Sequence, residues 1–228
     1  MAGPVALLGS GEFLPGMEAL DRRLLDGRAP RVVHLPTAAG QESGRRLRYW
    51  RDLAHHHFTG RLGVVVETLD VLDPRSADDP RQADRLQSAG LIYLSGGNPG
   101  YLAAALRGTR VLDSMRQAWM DGAALAGCSA GASALTSLAP DVRSGEGESM
   151  GLGLVPGVAI IPHYDAILRR RALARLFTVA PDGVTTIGVD EHTAIVSEDL
   201  ERWEVYGVGT AVTVRDGAVF GPGDRFTV

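Results

Sequence analysis

Short apolar runs alternate with longer amphipathic stretches through the first 135 residues of this 228-residue chain. Runs of four to eight apolar residues between turn signals are typical of buried strands, and the stretches between them have helical periodicity. Such alternation favours right-handed crossovers and a mostly parallel, doubly wound α/β sheet. The predicted strands lie at residues 5–9, 31–38, 64–71, 91–97 and 123–129, and the predicted helices at 16–27, 43–60, 80–90 and 100–122.

The pattern changes after residue 135. The run "VAIIPHY" at 158–164 predicts one more strand, and "DAILRRRALARLFTVAP" at 165–181 a basic helix. Residues 185–220 indicate short strands with turns at Gly and Asp-Gly, which predicts a small antiparallel extension of the sheet. The Gly- and Ser-rich segment 139–153 predicts a loop. We expect one α/β domain over residues 1–228.

Charge and cysteine content exclude several classes of protein. The net charge of -4 provides no basic field for nucleic acid or an anionic membrane. Cys128 is the one cysteine, so an intramolecular disulfide and a cysteine-rich zinc site are excluded. The N-terminus lacks a basic segment before its apolar run, and no run of 18 apolar residues occurs. We therefore expect a cytoplasmic protein.

Three polar features follow predicted strands. They are the turn "LSGGNPGYL" at 94–102, Ser129 within "GCSAG", and His163 after "VAIIP". Ligands bind at the carboxyl ends of strands in open α/β sheets, so these features are expected at one edge. The frame G-x-S-x-G is the spacing of a strained strand-to-helix turn that exposes a serine hydroxyl. Alone, Ser129 is equally consistent with a small residue in a turn, and His163 with a structural histidine.

Together these residues can supply the parts of a serine acyl-transfer site. Such a site needs a nucleophile, a base, a carboxylate that orients the base, and N–H donors for the oxyanion. We assign Ser129 as nucleophile and His163 as base. The N–H groups of Gly97 and Ala130 would form the oxyanion hole. The carboxylate would come from the loop, as Asp141, Glu146 or Glu148.

Other motifs are weaker. The triplet "HHH" at 55–57 is interpreted as a solvated helix end rather than a metal site, because adjacent histidines on a helix point in different directions. The segment "LLGSGEF" at 7–13 has Leu14 where a nucleotide-binding loop needs its third glycine. Cys128 lies one position before the centre of the turn, so we expect a buried spectator, with a cysteine nucleophile as the alternative.

The joint pattern resembles the dipeptidase E and cyanophycinase family of serine peptidases. The resemblance spans about residues 5–200 and rests on "VVHLPTAAG", "LSGGNPGYL", "AGCSAGASAL", "GLGLVPGVAIIPHYD" and "TIGVDEHTAIV". It implies a flavodoxin-like, class I amidotransferase-like fold and a Ser-His-acid triad, in which Glu146 fits best as the acid and Asp190 and Glu191 lie outside it. It also implies substrate binding by arginines downstream of the histidine, together with the turn asparagine. The matching residues are Arg169, Arg171, Arg175 and Asn98.

The resemblance predicts a serine peptidase that hydrolyses small aspartyl peptides through an acyl-enzyme, without metal or cofactor. Cyanophycinases typically carry an Asp where this chain has Ile161, and dipeptidase E has an Asn that is missing here. Three alternatives therefore stay open: a hydrolase of β-aspartyl-arginine bonds, a non-catalytic protein that binds a small anion, and a cysteine-dependent amidotransferase subunit. The apolar strands of the tail are a candidate homodimer surface.

Overall fold

Two β-sheets organise the computed structural model, which describes residues 1–140, 150–168, 180 and 182–228. The larger sheet has eight strands in the order β12-β9-β8-β1-β5-β4-β2-β3. Strands β1, β5, β4, β2 and β3 are mutually parallel, and β8, β9 and β12 extend this sheet in antiparallel fashion. These strands are β1 (Val5–Leu8), β2 (Arg31–Leu35), β3 (Val65–Thr68), β4 (Leu91–Leu94), β5 (Ala124–Cys128), β8 (Thr193–Ser197), β9 (Arg202–Gly207) and β12 (Arg225–Thr227).

The smaller sheet has four strands in the order β11-β10-β7-β6. They are β6 (Val158–Ile161), β7 (Thr185–Val189), β10 (Ala211–Thr213) and β11 (Val219–Phe220), of which β6 and β7 are parallel. The mostly parallel sheet with an antiparallel C-terminal extension is therefore confirmed. The tail differs from the prediction in one respect, because its strands are divided between both sheets.

Helices cover both faces of the larger sheet. Successive strand residues point to opposite faces. Accordingly Leu7 belongs to one buried cluster, with α5, α6 and α7, and Leu8 belongs to a second, with α1 and α2. None of the helices within the described ranges is long and apolar enough to cross a membrane. The α-helices of the described residues are α1 (Glu18–Leu25), α2 (Gly44–His55), α3 (Pro74–Ala77), α4 (Pro80–Asp84), α5 (Pro99–Leu106), α6 (Arg110–Met120), α7 (Ala130–Leu135) and α8 (Tyr164–Leu168).

The single helix predicted over residues 100–122 is two helices. Gly108 has a φ of 70°, a conformation that ends a helix readily only at glycine. The next residue, Thr109, is the N-cap of α6, where its hydroxyl accepts a hydrogen bond from the Leu112 N–H. These two neighbouring signals end α5 and begin α6.

The histidine triplet is not simply a solvated helix end, so that prediction was wrong for His57. His55 and His56 are exposed, but His57 is completely buried in the π-helix His56–Leu62 that continues α2, where Phe58 and Leu62 are buried as well. Its Nε2 lies 2.7 Å from an Oδ of Asp21, which is also completely buried. Burial raises the pKa of the Asp21 carboxyl, which the hydrogen bond to His57 partly offsets. Within the described ranges, no group of three His, Cys, Asp or Glu residues could hold a metal ion.

A second buried histidine, His34 on β2, is held between two hydroxyls. Its Nδ1 lies 3.0 Å from Thr68 Oγ1 and its Nε2 lies 2.9 Å from Ser95 Oγ. Burial, with a smaller contribution from the charge of Arg51, lowers the pKa of His34 to about 3. Because the ring takes up a proton only at low pH while the protein is folded, His34 is neutral near neutral pH.

This pKa predicts a loss of stability as the pH falls from about 6.5 towards 3. In that window the unfolded chain protonates His34 and the folded protein does not, so protons favour unfolding. The contribution of His34 should make the free energy of unfolding about 2 kcal/mol lower at pH 5 than at pH 7. Urea denaturation of His34→Gln at both pH values should show this component removed, whereas exposed His55→Gln should retain it. An equal pH dependence in wild type and His34→Gln would contradict the prediction.

Candidate active site

Ser129 lies in the sharp turn between β5 and α7. Its φ of 52° and ψ of -111° are unusual for a residue with a side chain, and such strain concentrates at functional sites. The flanking glycines allow the turn to pack closely. A Cβ at Gly127 would lie 2.6 Å from the carbonyl carbon of Gly131, and one at Gly131 would lie 2.2 Å from the Leu94 carbonyl oxygen. The G-x-S-x-G frame therefore has a steric reason here.

His163 follows β6 and faces this turn. The Ser133 hydroxyl on α7 donates to the Ile160 carbonyl at 3.1 Å, which ties β6 to the helix that begins after Ser129. His163 also has a positive φ, of 53°. The ring of the next residue, Tyr164, packs so closely over Gly188 of β7 that a Cβ at Gly188 would lie 2.3 Å from it. The backbone on both sides of His163 is therefore fixed by neighbouring elements.

A continuous chain of hydrogen bonds links a serine, a histidine and a carboxylate. Ser129 Oγ lies 2.9 Å from His163 Nε2, and His163 Nδ1 lies 2.9 Å from Glu191 Oε1. This is the connectivity of a serine-hydrolase triad, in which the carboxylate selects the histidine tautomer that accepts the serine proton. The His163 and Glu191 side chains are 35% and 42% exposed, so this series of hydrogen bonds is accessible to solvent.

Glu191 comes from the connection between β7 and β8. Its N–H donates to Asp165 Oδ1 at 3.1 Å, and its carbonyl accepts from the Thr193 hydroxyl at 3.1 Å. Asp165 lies in the first turn of α8, two residues after His163. The backbone that carries the acid is therefore held by the same segment that carries the histidine.

The acid predicted from sequence, Glu146, lies outside the described residues, as do Asp141 and Glu148. Among the described carboxylates, Glu191 is the partner of His163 Nδ1. The sequence predicts an acid between the serine and the histidine, which leaves Glu191 outside the predicted triad. The available signal was the run "TIGVDEH", in which an apolar strand ends two residues before the acid, as the strand in "VAIIPH" ends two residues before the histidine.

The turn after β4 brings a free backbone donor towards the serine. The N–H groups of Ser95, Gly96 and Asn98 donate to Leu35 O, Glu12 Oε1 and Ala38 O respectively. Within the described part of the chain, the N–H of Gly97 has no acceptor. A Cβ at neighbouring Gly96 would lie 3.6 Å from the Ser129 Cβ, so the turn is next to Ser129.

The two predicted oxyanion donors and Asn98 occupy different environments. Gly97 has a φ of 147° and packs against Ala38, where a Cβ would lie 2.3 Å from the carbonyl oxygen. Ala130 follows the serine, so its N–H is the second donor expected of this turn. Asn98 is 1% exposed, and its side chain caps α5 by accepting from the Tyr101 N–H. A substrate-binding role for Asn98 stays a prediction beside this structural one.

Cys128 is completely buried, on the opposite side of the strand end from the serine. Its Sγ donates to Glu12 Oε2 at 2.9 Å. Burial and the neighbouring Glu12 carboxylate raise the pKa of the thiol well above its usual value. A neutral, inaccessible thiol is a poor nucleophile, which agrees with the interpretation of Cys128 as a spectator. The predicted substrate arginines Arg169, Arg171 and Arg175 lie outside the described residues.

Comparison with known proteins identifies the family. The model of peptidase family S51 matches residues 5–203. This chain belongs to peptidase family S51. The chain is 31% identical to a cyanophycinase of Geminocystis herdmanii, over 67% of its own length and 58% of the relative's. It is also 30% identical to a cyanophycinase of Trichormus variabilis, over 80% and 62% of the two lengths. The chain thus spans about three fifths of these family S51 relatives.

Two solved structures share this fold. The structure of a peptidase from an acI-B1 Actinobacterium superposes on this chain with a TM-score of 0.93 and 32% sequence identity. The alignment covers 100% of this chain and 98% of that peptidase. A putative peptidase E protein from Listeria monocytogenes covers 92% and 100%, with a TM-score of 0.69 and 20% identity, which shows the shared fold. The family predicted from the motifs and the fold class are both confirmed.

Proposed function

We propose that this protein is a serine-type peptidase that hydrolyses small aspartyl peptides through an acyl-enzyme, with Ser129, His163 and Glu191 as its triad. The observation that carries the proposal is the pair of 2.9 Å contacts through the two ring nitrogens of His163. A histidine held at both nitrogens in this order can accept the serine proton, while the carboxylate stabilises the imidazolium that forms.

In the acylation step, Ser129 Oγ attacks the peptide carbonyl carbon and its proton moves to His163 Nε2. The carbonyl π electrons move to the oxygen, which accepts hydrogen bonds from the N–H groups of Gly97 and Ala130. The tetrahedral intermediate collapses, the C–N bond breaks, and the amine leaves with the proton from His163. Water then attacks the ester with His163 as base, which releases the acid and restores the serine hydroxyl.

The preference for aspartyl peptides is supported by the arginine-rich run that follows the histidine. The run "LRRRALAR" at 168–175 lies just downstream of the histidine. In the family that the motifs resemble, arginines at this place bind the aspartyl carboxylate or the region around it. A guanidinium group forms two parallel hydrogen bonds to a carboxylate, which makes arginine suitable for this recognition. We propose Arg169, Arg171 and Arg175 as the residues that select the substrate.

A second candidate is hydrolysis of β-aspartyl-arginine bonds. Its support is the similarity to relatives named cyanophycinase, at 30 to 32% identity. Ile161 stands where cyanophycinases typically carry an aspartate, so we rank this substrate second. Both candidates use the same nucleophile and differ in the bond that is presented to it.

A panel of three peptide types tests the substrate assignment. We expect release of free aspartate from Asp-Xaa dipeptides, with Xaa-Asp and β-Asp-Arg dipeptides cleaved at least about tenfold less efficiently, a difference of about 1.4 kcal/mol in transition-state binding. Amine release can be followed by mass spectrometry. If β-Asp-Arg is cleaved best, the second candidate replaces the first. If no peptide of the panel is cleaved, the aspartyl assignment fails.

A fluorophosphonate probe tests the mechanism independently of the substrate. The probe should form a covalent adduct at Ser129, located by peptide mapping, because an activated serine displaces its fluoride. A protein that only binds a small anion on this scaffold should not react. Absence of an adduct under conditions in which a known serine hydrolase is fully labelled would overturn the proposed mechanism.

A further inference from the structure

We propose that Glu12 is a positioning residue of the oxyanion turn, by which we mean residues 95–98. This inference rests on the proposed function, because it assigns to Glu12 the alignment of the Gly97 N–H towards the acyl oxygen. Glu12 lies just after β1 and is 7% exposed. Neither the triad nor the substrate site uses its carboxylate, so a buried acid beside the nucleophile requires a different explanation.

Both oxygens of the Glu12 carboxylate have donors from the active-site strands. Oε1 accepts from the Gly96 N–H at 3.1 Å, and Oε2 accepts from Cys128 Sγ at 2.9 Å. Gly96 directly precedes the proposed oxyanion donor, and Cys128 directly precedes the nucleophile. The carboxylate therefore joins the ends of β4 and β5 at the residues immediately before the two groups that must be aligned for catalysis.

The contact with Gly96 determines which N–H of the turn remains available. If the Gly96 N–H lost its buried acceptor, the N–H groups of Gly96 and Gly97 would both be unpaired. The peptide plane between Gly96 and Gly97 could then rotate, which would turn the Gly97 N–H away from the acyl oxygen. Gly97 itself has no side chain to resist such a rotation. Glu12 fixes the peptide before Gly97, while Ala38 accepts from the Asn98 N–H on the other side.

The choice of a thiol at residue 128 fits this role. The raised pKa of Cys128 keeps the sulfur protonated, so it acts as a donor to Glu12 and not as a competing nucleophile. A sulfhydryl occupies more apolar volume than a hydroxyl, and Cys128 packs within the buried cluster that includes Phe13 and Tyr93. The side chain therefore satisfies one carboxylate oxygen and fills the core at the same time.

The glycine-rich segment before Glu12 contacts the other end of the site. A Cβ at Gly9 would lie 2.1 Å from the Asp190 carbonyl oxygen, and one at Gly11 would lie 2.7 Å from His192 Nδ1. The Ser10 hydroxyl accepts from the His192 N–H at 3.2 Å. The segment that resembled a nucleotide-binding loop thus packs against the connection that carries the acid. Glu12 is consequently anchored to a backbone that is itself part of the active-site framework.

Removal of the carboxylate tests the role. Glu12→Ala should lower kcat for p-nitrophenyl acetate and the rate constant for fluorophosphonate labelling by about 10- to 100-fold, with KM changed less than about threefold. Glu12→Gln should stay within about threefold of wild type in both, because its amide oxygen still accepts from Gly96. If Glu12→Ala does not fold, Glu12→Asp replaces it, with at least a tenfold loss expected because its carboxylate is one methylene short.

The matched control is Asp21→Ala, which removes a second buried carboxylate from the same face of the sheet. Asp21 pairs with His57 and, within the described residues, makes no hydrogen bond to the oxyanion turn, so its removal should lower Tm and leave kcat within about threefold. Wild-type kcat in the Ala or Asp variant of Glu12, or a Gln variant as slow as Ala, overturns the positioning role. Failure of the wild-type protein to label would instead refute the proposed function, and the role of Glu12 with it.

Discussion

Ser129→Ala is expected to lower peptide hydrolysis by at least about 10⁴-fold and to abolish covalent labelling by the fluorophosphonate probe. The substitution removes the one oxygen that forms the acyl bond and leaves His163 without a proton to accept. Any residual rate would come from the oxyanion donors and from substrate binding. The variant should fold normally, since Ala has the same Cβ in the strained turn, and circular dichroism with a thermal melt checks this.

Cys128→Ala is the matched control for this prediction. It changes the adjacent residue, which is completely buried and lies outside the triad. Labelling of the control by the probe should persist at Ser129. Loss of glutamine hydrolysis on Cys128→Ser, with normal activity of Ser129→Ala, would favour an amidotransferase and contradict the serine mechanism.

Glu191→Gln is expected to reduce kcat by about 10²- to 10⁴-fold with little change in KM. The amide keeps the size of the side chain, but it cannot stabilise the imidazolium and can hold His163 in the wrong tautomer. The hydrogen bond of 2.9 Å to Nδ1 is the contact that the substitution changes. Steady-state kinetics on the peptide cleaved best would measure both parameters.

Glu146→Gln is the corresponding control for the acid predicted from sequence. If Glu191 completes the triad, this variant should keep kcat within about threefold of wild type. The reverse outcome, with a large loss for Glu146→Gln and a small one for Glu191→Gln, would assign the acid to the loop and contradict the triad proposed here.

The strands and the turn that carry Ser129 were predictable because their determinants are local. Strands β1, β4 and β5 are buried at every residue, so each is an apolar run whatever surrounds it. The spacing of Gly127, Ser129 and Gly131 follows from contacts within one strand-turn-helix unit and with the adjacent strand. His163 was predictable for a similar reason, because it lies two residues after the buried strand β6.

The acid and the buried histidine were not predictable in the same way. The run "TIGVDEH" indicates a strand before Glu191 but not that this strand pairs with β6, because pairing between distant segments leaves no local signature. A chain-order argument therefore favoured the loop between serine and histidine. His57 was misassigned because the three histidines were interpreted together as one solvated helix end, whereas the helical backbone exposes His55 and His56 and buries His57.

The proposed triad draws its members from both sheets. Ser129 follows a strand of the larger sheet, His163 follows a strand of the smaller one, and Glu191 lies on the segment that passes from the smaller to the larger. Its geometry therefore exists only while the two sheets keep their mutual arrangement. A slight separation of the smaller sheet from the larger one would inactivate the enzyme while most of its secondary structure persisted. Covalent labelling by the probe would therefore report whether the two sheets are packed together.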